Sequence, residues 1–413
     1  MVIKTVTGAG YGDEGKGLMT DYFCGKLCDK KVLDIKVNGG AQAGHTVCRI
    51  DNNNNYKHWV FRQYGSGTFA GADTYLCKEF MVNFIELVKE RQKLQEIYDI
   101  QNHLYIDKGC RVTLPCDVVI NRALEEHRTK RHGSCGLGIY ETFHRNNEIK
   151  AFKVKDVINE FISKTPDKFL DELNKIAEEH IKYRIAEIKE KDSIEISDVE
   201  AKKMICEAEK MNTEYIDALL EIIKCDDLTF SESLDNTITT HGYNAVVFEC
   251  SQGLELDQFN KRNFPHLTPS NTGLKDVASI INECETLKNC DMENCFVTRS
   301  YKTKHGAGIF VEEDTEIQSQ FGLYDRTNHR NQFQGSLKYG RVNFGRLKKL
   351  IFEQLEYMND IKNRKTSLAI THLDQTNEVF VLSTESKNYK DVDTSMFDKT
   401  YKSFGEKASD ILE

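Results

Sequence analysis

Three observations predict an α/β protein with a largely parallel central sheet, flanking helices and a phosphate-loop-like nucleotide-binding core. Short apolar strand segments alternate with segments of helical spacing along the chain. Each strand segment runs into a polar, glycine-rich turn, which gathers ligand groups on one rim of the sheet. A long Lys/Glu/Ile stretch over 151–225 interrupts the alternation and reads as a mainly helical lobe with solvated charged faces. With 413 residues, only 4 prolines and no low-complexity linker, a single domain over 1–413 is expected.

Composition narrows the function. Hydrophobic residues at 39% and charged residues at 29% fit a soluble globular protein. A net charge of −9 argues against a surface devoted to nucleic acid, yet allows a local basic pocket for an anionic small molecule. The 13 cysteines form no CxxC pair and read as reduced intracellular thiols rather than a disulfide or zinc framework. The first strand leads directly into a functional loop, so no signal peptide is expected. No apolar run reaches membrane-spanning length. A cytoplasmic location follows, in the host cytoplasm for a viral source.

The first strand, Met1 to Thr7, and the first helix, Leu18 to Cys28, flank Gly8-Ala-Gly-Tyr-Gly-Asp-Glu-Gly-Lys-Gly17. Within it, Gly10-x4-Gly15-Lys16 has the spacing of a phosphate loop, whose N–H groups and following helix terminus attract phosphate. Gly17 stands where a Ser or Thr normally holds magnesium. Asp13 and Glu14 put negative charge where a phosphate would be repelled, so an acid there needs a task such as binding metal or taking a proton. An ordinary solvated turn is the competing reading; glycine density, strand context and Lys16 argue against it.

A second strand, Lys31 to Val37, ends in Asn38-Gly-Gly-Ala-Gln-Ala-Gly-His-Thr46, whose His45 sits where loops carry chemistry. Asn52 to Asn55 reads as an exposed hairpin tip, and His58 to Phe61 as a strand. Helices are predicted over Phe80 to Tyr98 and Val118 to Arg128, with a strand at Leu104 to Ile106 between them. Lys130 to Gly138 is a basic Ser/Gly turn suited to a monophosphate, or a flexible surface loop. The apolar strand Asn244 to Phe248 is of the buried parallel type and is followed by Glu249-Cys-Ser-Gln-Gly253. Cys250 could be a nucleophile, but no base is indicated near it. Thr268 to Gly273 leads into a helix, Leu274 to Asn282. The strand Asn294 to Arg299 precedes the basic loop Lys302 to Gly308. After a polar, basic stretch over Asp325 to Gly340 and a helix from Phe344 to Asn359, the buried strand Ser367 to Ile370 ends in Thr371-His372-Leu373-Asp374. Asp374 is placed to accept the N–H donors of a purine edge, or to cap a turn. Val379 to Leu382 reads as an edge strand, and Ser403 to Lys407 as a turn.

Taken in order, Gly12-Asp-Glu-Gly-Lys-Gly17, Gly39-Gly-x-x-Ala-Gly-His-Thr46, Gly133-Ser-Cys-Gly-Leu-Gly138, Glu249-x-x-Gln-Gly253, Thr268-x-Ser-Asn-Thr272 and Gly306-Ala-Gly308 resemble the adenylosuccinate synthetases from end to end. The resemblance implies a homodimeric, Mg²⁺-dependent ligase. GTP phosphorylates O6 of IMP, and the amine of L-aspartate then displaces that phosphate.

It also implies roles. Asp13 takes the N1 proton and, with the Gly44 carbonyl, holds Mg²⁺. Lys16 and His45 stabilise the transferring phosphoryl group. Gly12, Glu14, Gly15, Gly17 and Thr46 complete the nucleoside triphosphate loop, and His372, Asp374, Ser403 and Gly405 its base end. Gln42, Ser134, Cys135, Gln252 and Thr268 fall on contacts to the purine monophosphate. Arg145, with Arg131 as the alternative, is the candidate for an arginine shared across the dimer. Gln334, Gly335, Ser336 and Lys338 fall on the aspartate loop, with Arg330 or Arg341 as compensating cations.

The departures are local. Gln42 replaces a usual Asn, Cys135 a phosphate-binding Thr, His372 the lysine that packs on guanine, and only Lys338 remains of an arginine run. They bring ATP into view beside GTP. They also bring in a second activity of the superfamily, joining aspartate to dGMP for diaminopurine synthesis. Several of those phage-type enzymes lose the acid that Asp13 represents, so its retention favours IMP. A non-catalytic nucleotide-binding regulator is the reading from another class, opposed by Asp13, Lys16 and His45 together.

Overall fold

The computed structural model describes residues 1–51, 53–129, 133–149, 151–325, 336–376, 378–380, 386–388 and 393–413. Ten strands form its central sheet: β1 (Val2–Gly8), β2 (Val32–Lys36), β3 (Asp73–Leu76), β4 (Leu104–Asp107), β5 (Leu228–Ser231), β6 (Ala245–Glu249), β7 (Asp291–Arg299), β8 (Arg364–Thr371), β9 (Lys399–Ser403) and β10 (Ile411–Leu412). Their spatial order is β10-β9-β8-β7-β1-β6-β2-β3-β4-β5, and every pairing is parallel except β9 with β10. β2 and β6 are buried along their whole length, as strands covered on both faces must be.

The chain walks outward from β1 to β5, returns to insert β6 beside β1, then builds the other half through β7 to β10. β1 is therefore the point where the winding direction reverses. In open parallel sheets the loops at such a point diverge and leave a crevice at the carboxyl ends of the strands.

Helix α1 (Lys16–Lys26) starts immediately after the glycine loop, with Gly15 as its N-cap at φ +95°. Helix α2 (Phe84–Tyr98) begins four residues later than the hydrophobic spacing suggests, because the Asn83 side chain caps it by accepting from the Glu86 N–H. Helix α3 (Pro115–His127) begins earlier than expected, with Pro115 in its first turn and Asp117 accepting from the Leu114 N–H.

The stretch over 151–225 is helical as expected: α4 (Val154–Ser163), α5 (Pro166–Asp192) and α6 (Asp198–Ile222). Its buried face continues the apolar core around α2 and α3; Phe84 and Tyr215 meet at 5.9 Å between ring centroids. The expected edge strand at Val379 to Leu382 is found differently: Glu378–Phe380 pairs with Ser386–Asn388 in a separate two-stranded ribbon, and β10 closes that side of the main sheet. None of the 13 cysteines is disulfide-bonded. Among the described residues, no helix is long and apolar enough to cross a membrane.

Candidate active site

A cavity of about 810 Å³ opens over the carboxyl ends of β1, β6, β7 and β8. Such a volume is typical of small-molecule sites. Gly12, Asp13, Gly15, Lys16 and Gly17 line it, with Gly44, His45 and Thr46 beside them; a Cβ at Gly17 would stand 2.7 Å from the Thr46 carbonyl oxygen. Gln42, Ser134, Cys135, Gln252 and Thr268 line it too, and His372, Asp374 and Gly405 close another side. The fold thus gathers on one surface residues up to 393 positions apart in sequence (Gly405 and Gly12).

The two acids of the glycine loop face opposite ways. Glu14 is buried; its carboxylate accepts from the N–H groups of Gly10 (3.0 Å) and Gly12 (2.8 Å) and pairs with Lys16 Nζ at 2.7 Å. It occupies the N–H nest at the loop's start and does not line the cavity. Glu14 therefore shapes the loop and anchors Lys16, in place of the nucleotide contact expected of it. Asp13 points the other way, into the cavity, at φ +58°. Its carboxylate lies 3.7 Å from His305 Nε2, and its carbonyl accepts from Arg299 Nε. Gly253 packs tightly behind the loop: a Cβ there would stand 2.6 Å from the Gly12 nitrogen and closer still to the Gly10 oxygen.

His45 opens a hairpin, His45–Ile50 with Tyr56–Phe61, and its Nδ1 meets the carboxylate of Glu249. Glu249 is the last residue of β6, in register with Lys36 on β2, whose Nζ lies 3.5 Å away. Glu249 also accepts from the Ser66 N–H at 3.0 Å and from the Ser66 hydroxyl. Burial opposes its charge, yet Lys36 and His45 hold it below the usual carboxylate range. Burial pulls the His45 imidazole down to about 4; Glu249 opposes this, and Lys36 and Lys16 add to it. His45 is thus neutral near pH 7, with its proton on Nδ1 toward Glu249 and its Nε2 lone pair free to accept.

The base end differs from expectation in detail. His372, at φ +61°, turns its ring toward Tyr301 (5.8 Å between centroids) and takes Thr371 Oγ1 at 2.9 Å from Nδ1. Thr371 Oγ1 also donates to the Glu14 carbonyl, tying β8 to the glycine loop. The Asp374 side chain is exposed at the cavity's edge, yet the protein around it partly desolvates the carboxylate and raises its pKa. Ser403 is buried at the end of β9, its hydroxyl donating to the Gly405 carbonyl at 2.7 Å; it supports the turn and does not reach the cavity.

Other expected residues lie elsewhere. Arg145 is 1% exposed and forks onto Asp117, with Nε to Oδ1 and Nη2 to Oδ2 both at 2.8 Å. It belongs to the packing between α3 and the helical lobe, not to the cavity or to a free surface that could reach a partner subunit. Asp117 also belongs, with Cys116 and His180, to a buried cluster of potential metal ligands. Arg145 already neutralises Asp117, and a thiol–imidazole set does not suit Mg²⁺. Ser336 and Lys338 lie outside the cavity lining; Lys338 Nζ is 3.7 Å from Glu313, and Arg341 pairs with Asp314 at 2.8 Å. Arg131, Arg330, Gln334 and Gly335 lie outside the described residues. The Cys250 thiol is fully buried and burial pushes it up to about 12, which removes it as a nucleophile.

Sequence reasoning missed four lining cations or proton carriers. Arg299 closes β7 and pairs with Asp325 at 2.7 Å. Lys304 and His305 fall in the basic loop already singled out, although no role was attached to either. Arg62 follows the second strand of the hairpin with no motif around it. An arginine ending a buried strand was a usable signal for Arg299; nothing in the sequence singled out Arg62.

An open parallel sheet with a glycine loop before α1, an acid facing the cavity and an imidazole–carboxylate pair beside the loop defines a nucleotide-handling α/β enzyme. Residues 5–390 match the adenylosuccinate synthetase family, and the chain belongs to it. The adenylosuccinate synthetase of Borrelia recurrentis is 24% identical over 383 residues, covering 92% of this chain and 78% of that protein. That of Mesoplasma florum is 28% identical over 310 residues, covering 75% and 64%. Among solved structures, fully ligated adenylosuccinate synthetase from Plasmodium falciparum aligns with a TM-score of 0.62 at 15% identity, covering 99% of this chain and 98% of that one. The succinoaminodeoxyadenylate synthetase (PurZ) of cyanophage S-2L, bound to dGMP and to dATP as an energy donor, aligns at 0.60 and 12%, covering 100% and 95%. The chain is accordingly a purine-biosynthetic ligase that forms a C–N bond.

Proposed function

We propose that this ligase joins L-aspartate to C6 of IMP at the expense of a nucleoside triphosphate, giving adenylosuccinate, NDP and phosphate. The observation that carries the reading is the placement of Asp13. It projects into the cavity between the glycine loop and Gln252, within the same enclosed space as Thr268 and Ser134. A carboxylate there can take the N1 proton of a 6-oxopurine, placing negative charge on O6 for attack on the γ-phosphorus. The NDP then leaves. The amine of aspartate next attacks C6 and expels phosphate.

Lys16 and the N-terminus of α1 supply positive potential to the phosphates. His45, oriented by Glu249, meets the same phosphates; a donor role for Nε2 requires a second ring proton, which the charge of a bound polyphosphate favours. Oxygen donors suit magnesium, and among the described residues the Asp13 carboxylate has no closer ionic partner than His305, so Asp13 and the Gly44 carbonyl would hold Mg²⁺. When bound, that ion neutralises charge on the transferring phosphoryl group. Arg299, Lys304 and Asp374 flank the space left for aspartate and the nucleotide base. A homodimer and a cytoplasmic site belong to the proposal through the family resemblance.

The second reading replaces IMP by dGMP, which adds an amino group at purine C2 and lacks the ribose 2′-hydroxyl, with ATP the alternative to GTP in either. The test is phosphate release with IMP or dGMP, each combined with GTP or ATP, in the presence of Mg²⁺ and L-aspartate. Turnover with IMP that requires all components supports the reading. Turnover with dGMP alone transfers it to the aminopurine reaction. Turnover with none leaves a nucleotide-binding protein and overturns it.

A further inference from the structure

Four lysines and arginines are described as lining the cavity, and three are already committed. Lys16 is paired with Glu14 at 2.7 Å. Arg299 is paired with Asp325 and donates to the Asp13 carbonyl. Lys304 Nζ donates to the carbonyls of Ala307 and His305, the latter at 3.3 Å. Among the described residues neither Lys304 nor Arg62 has a carboxylate within ion-pair distance; Arg62 donates through Nη1 to the Ala41 carbonyl at 2.9 Å, one bond for a guanidinium with five N–H donors. The nearby Glu90 carboxylate takes the backbone N–H of Arg62 at 2.8 Å, not its guanidinium.

The location is specific. A Cβ at Gly44 would stand 3.9 Å from the Arg62 guanidinium, and Ala41 precedes Gln42. On the facing turn the positive charge of Arg62 opposes the upward push that burial gives the Cys135 thiol. Between Gln42 and Cys135 the remaining donors are weak. Cys135 offers a thiol, and Ser134 Oγ already donates to Asn121 at 3.2 Å and accepts from the Gly136 N–H. Arg145, which would have supplied a cation, is buried on Asp117. Among the described residues, a dianionic group bound here meets the Arg62 guanidinium, which keeps donors beyond the one given to Ala41 and whose planar fork suits a phosphate.

We propose that Arg62 binds the 5′-phosphate of the purine monophosphate from within the same chain, in place of an arginine contributed by a partner subunit. This rests on the function proposed above and names a binding residue for it.

The test is calorimetric titration of IMP and dGMP, of inosine and deoxyguanosine, and of GTP and ATP, into the whole protein and its Arg62→Ala and Arg62→Lys variants. Loss of a charge-assisted fork weakens the bound monophosphate about 10- to 100-fold in Arg62→Ala, with partial recovery in Arg62→Lys. Nucleoside and triphosphate affinities stay unchanged. Equal weakening of nucleoside and monophosphate would make Arg62 merely structural. Weakening confined to the triphosphate would place it on the other substrate. No change would remove it from the site, and each of these overturns the proposal. If Arg62→Ala fails to fold, Arg62→Lys decides alone: unchanged monophosphate affinity overturns it, and a loss confined to the monophosphate supports it. A wild type that binds neither monophosphate overturns the functional reading itself, an outcome distinct from all the others.

Discussion

Replacing Asp13 by Asn separates the chemistry of this site from its geometry. Asp13 occupies the left-handed region at φ +58°, where most side chains are strained but Asn is tolerated. Asn also keeps the size of the side chain but loses the negative charge, and with it the capacity to accept a proton and to hold Mg²⁺ as a carboxylate. The backbone cost is therefore near zero, and the chemical cost is that of a general base, about 10²- to 10⁴-fold in kcat, or roughly 2.7–5.5 kcal/mol in the barrier. Asp13→Ala carries the same chemical loss plus about 1 kcal/mol of left-handed strain. For 413 residues at about 2.1 cal/mol/K each, the unfolding entropy is roughly 0.9 kcal/mol/K, so the alanine variant melts only about 1 °C lower. The measurements are steady-state phosphate release with saturating substrates, triphosphate affinity by titration, and Tm by calorimetry. Asp13→Asn should keep its Tm and its affinity for the metal-free triphosphate while kcat collapses. A kcat within about threefold of wild type would refute the assignment of the N1 proton to Asp13.

Two further outcomes are expected. Arg145→Met leaves the Asp117 carboxylate buried without its cation, a loss of about 3–5 kcal/mol that lowers Tm by roughly 3–6 °C; an unchanged Tm with a raised KM for the monophosphate would return Arg145 to the substrate. Lys304 is brought down to about 8, by burial first and then by Lys338, against the pull of Glu313. Its ammonium is present below about pH 8 and lost above it, so KM for L-aspartate, which presents two carboxylates, should rise with pH through that value. Arg at 304 keeps its charge throughout, so a profile that bends identically in wild type and Lys304→Arg would exclude Lys304 as the group responsible.

What the sequence reveals is mostly what the backbone must do. The glycines of the first loop announce a turn because Gly12 and Gly15 both sit at φ +95°, and such turns recur wherever a strand delivers the chain to the rim. The buried strands are legible because β2 and β6 cannot carry an alternating pattern when both faces are covered. Side-chain commitments between distant segments leave no such mark. Glu14 looks like a misplaced acid until its carboxylate is seen closing the N–H nest of Gly10 and Gly12. Arg145 looks available until Asp117, 28 residues earlier, is seen to hold both its donors. Glu249 and Lys36 meet only because β6 is inserted beside β2 after a long excursion through the lobe. Arg62 becomes visible only when the other cavity cations are seen to be occupied.

The same comparison explains where function departs from the turn rules. Asp13, Gln252 and His372 are three non-glycine residues with left-handed backbones, at φ +58°, +65° and +61°. They follow three different strands, β1, β6 and β8, and all three line the one cavity. A left-handed conformation favours glycine by about 1 kcal/mol or more at each position. A chain selected for stability alone would place glycine at all three, as it does at Gly12 and Gly15. Each side chain is instead kept where the strand end turns toward the cavity, and the turn is held by tertiary bonds: Arg299 to the Asp13 carbonyl, Ser300 Oγ to the His372 carbonyl, Thr371 to Glu14. Strain that converges on one cavity from three separate strands marks these side chains as the reason the loops are shaped as they are. Of the three, Asp13 alone carries a carboxylate that can take a proton from the base.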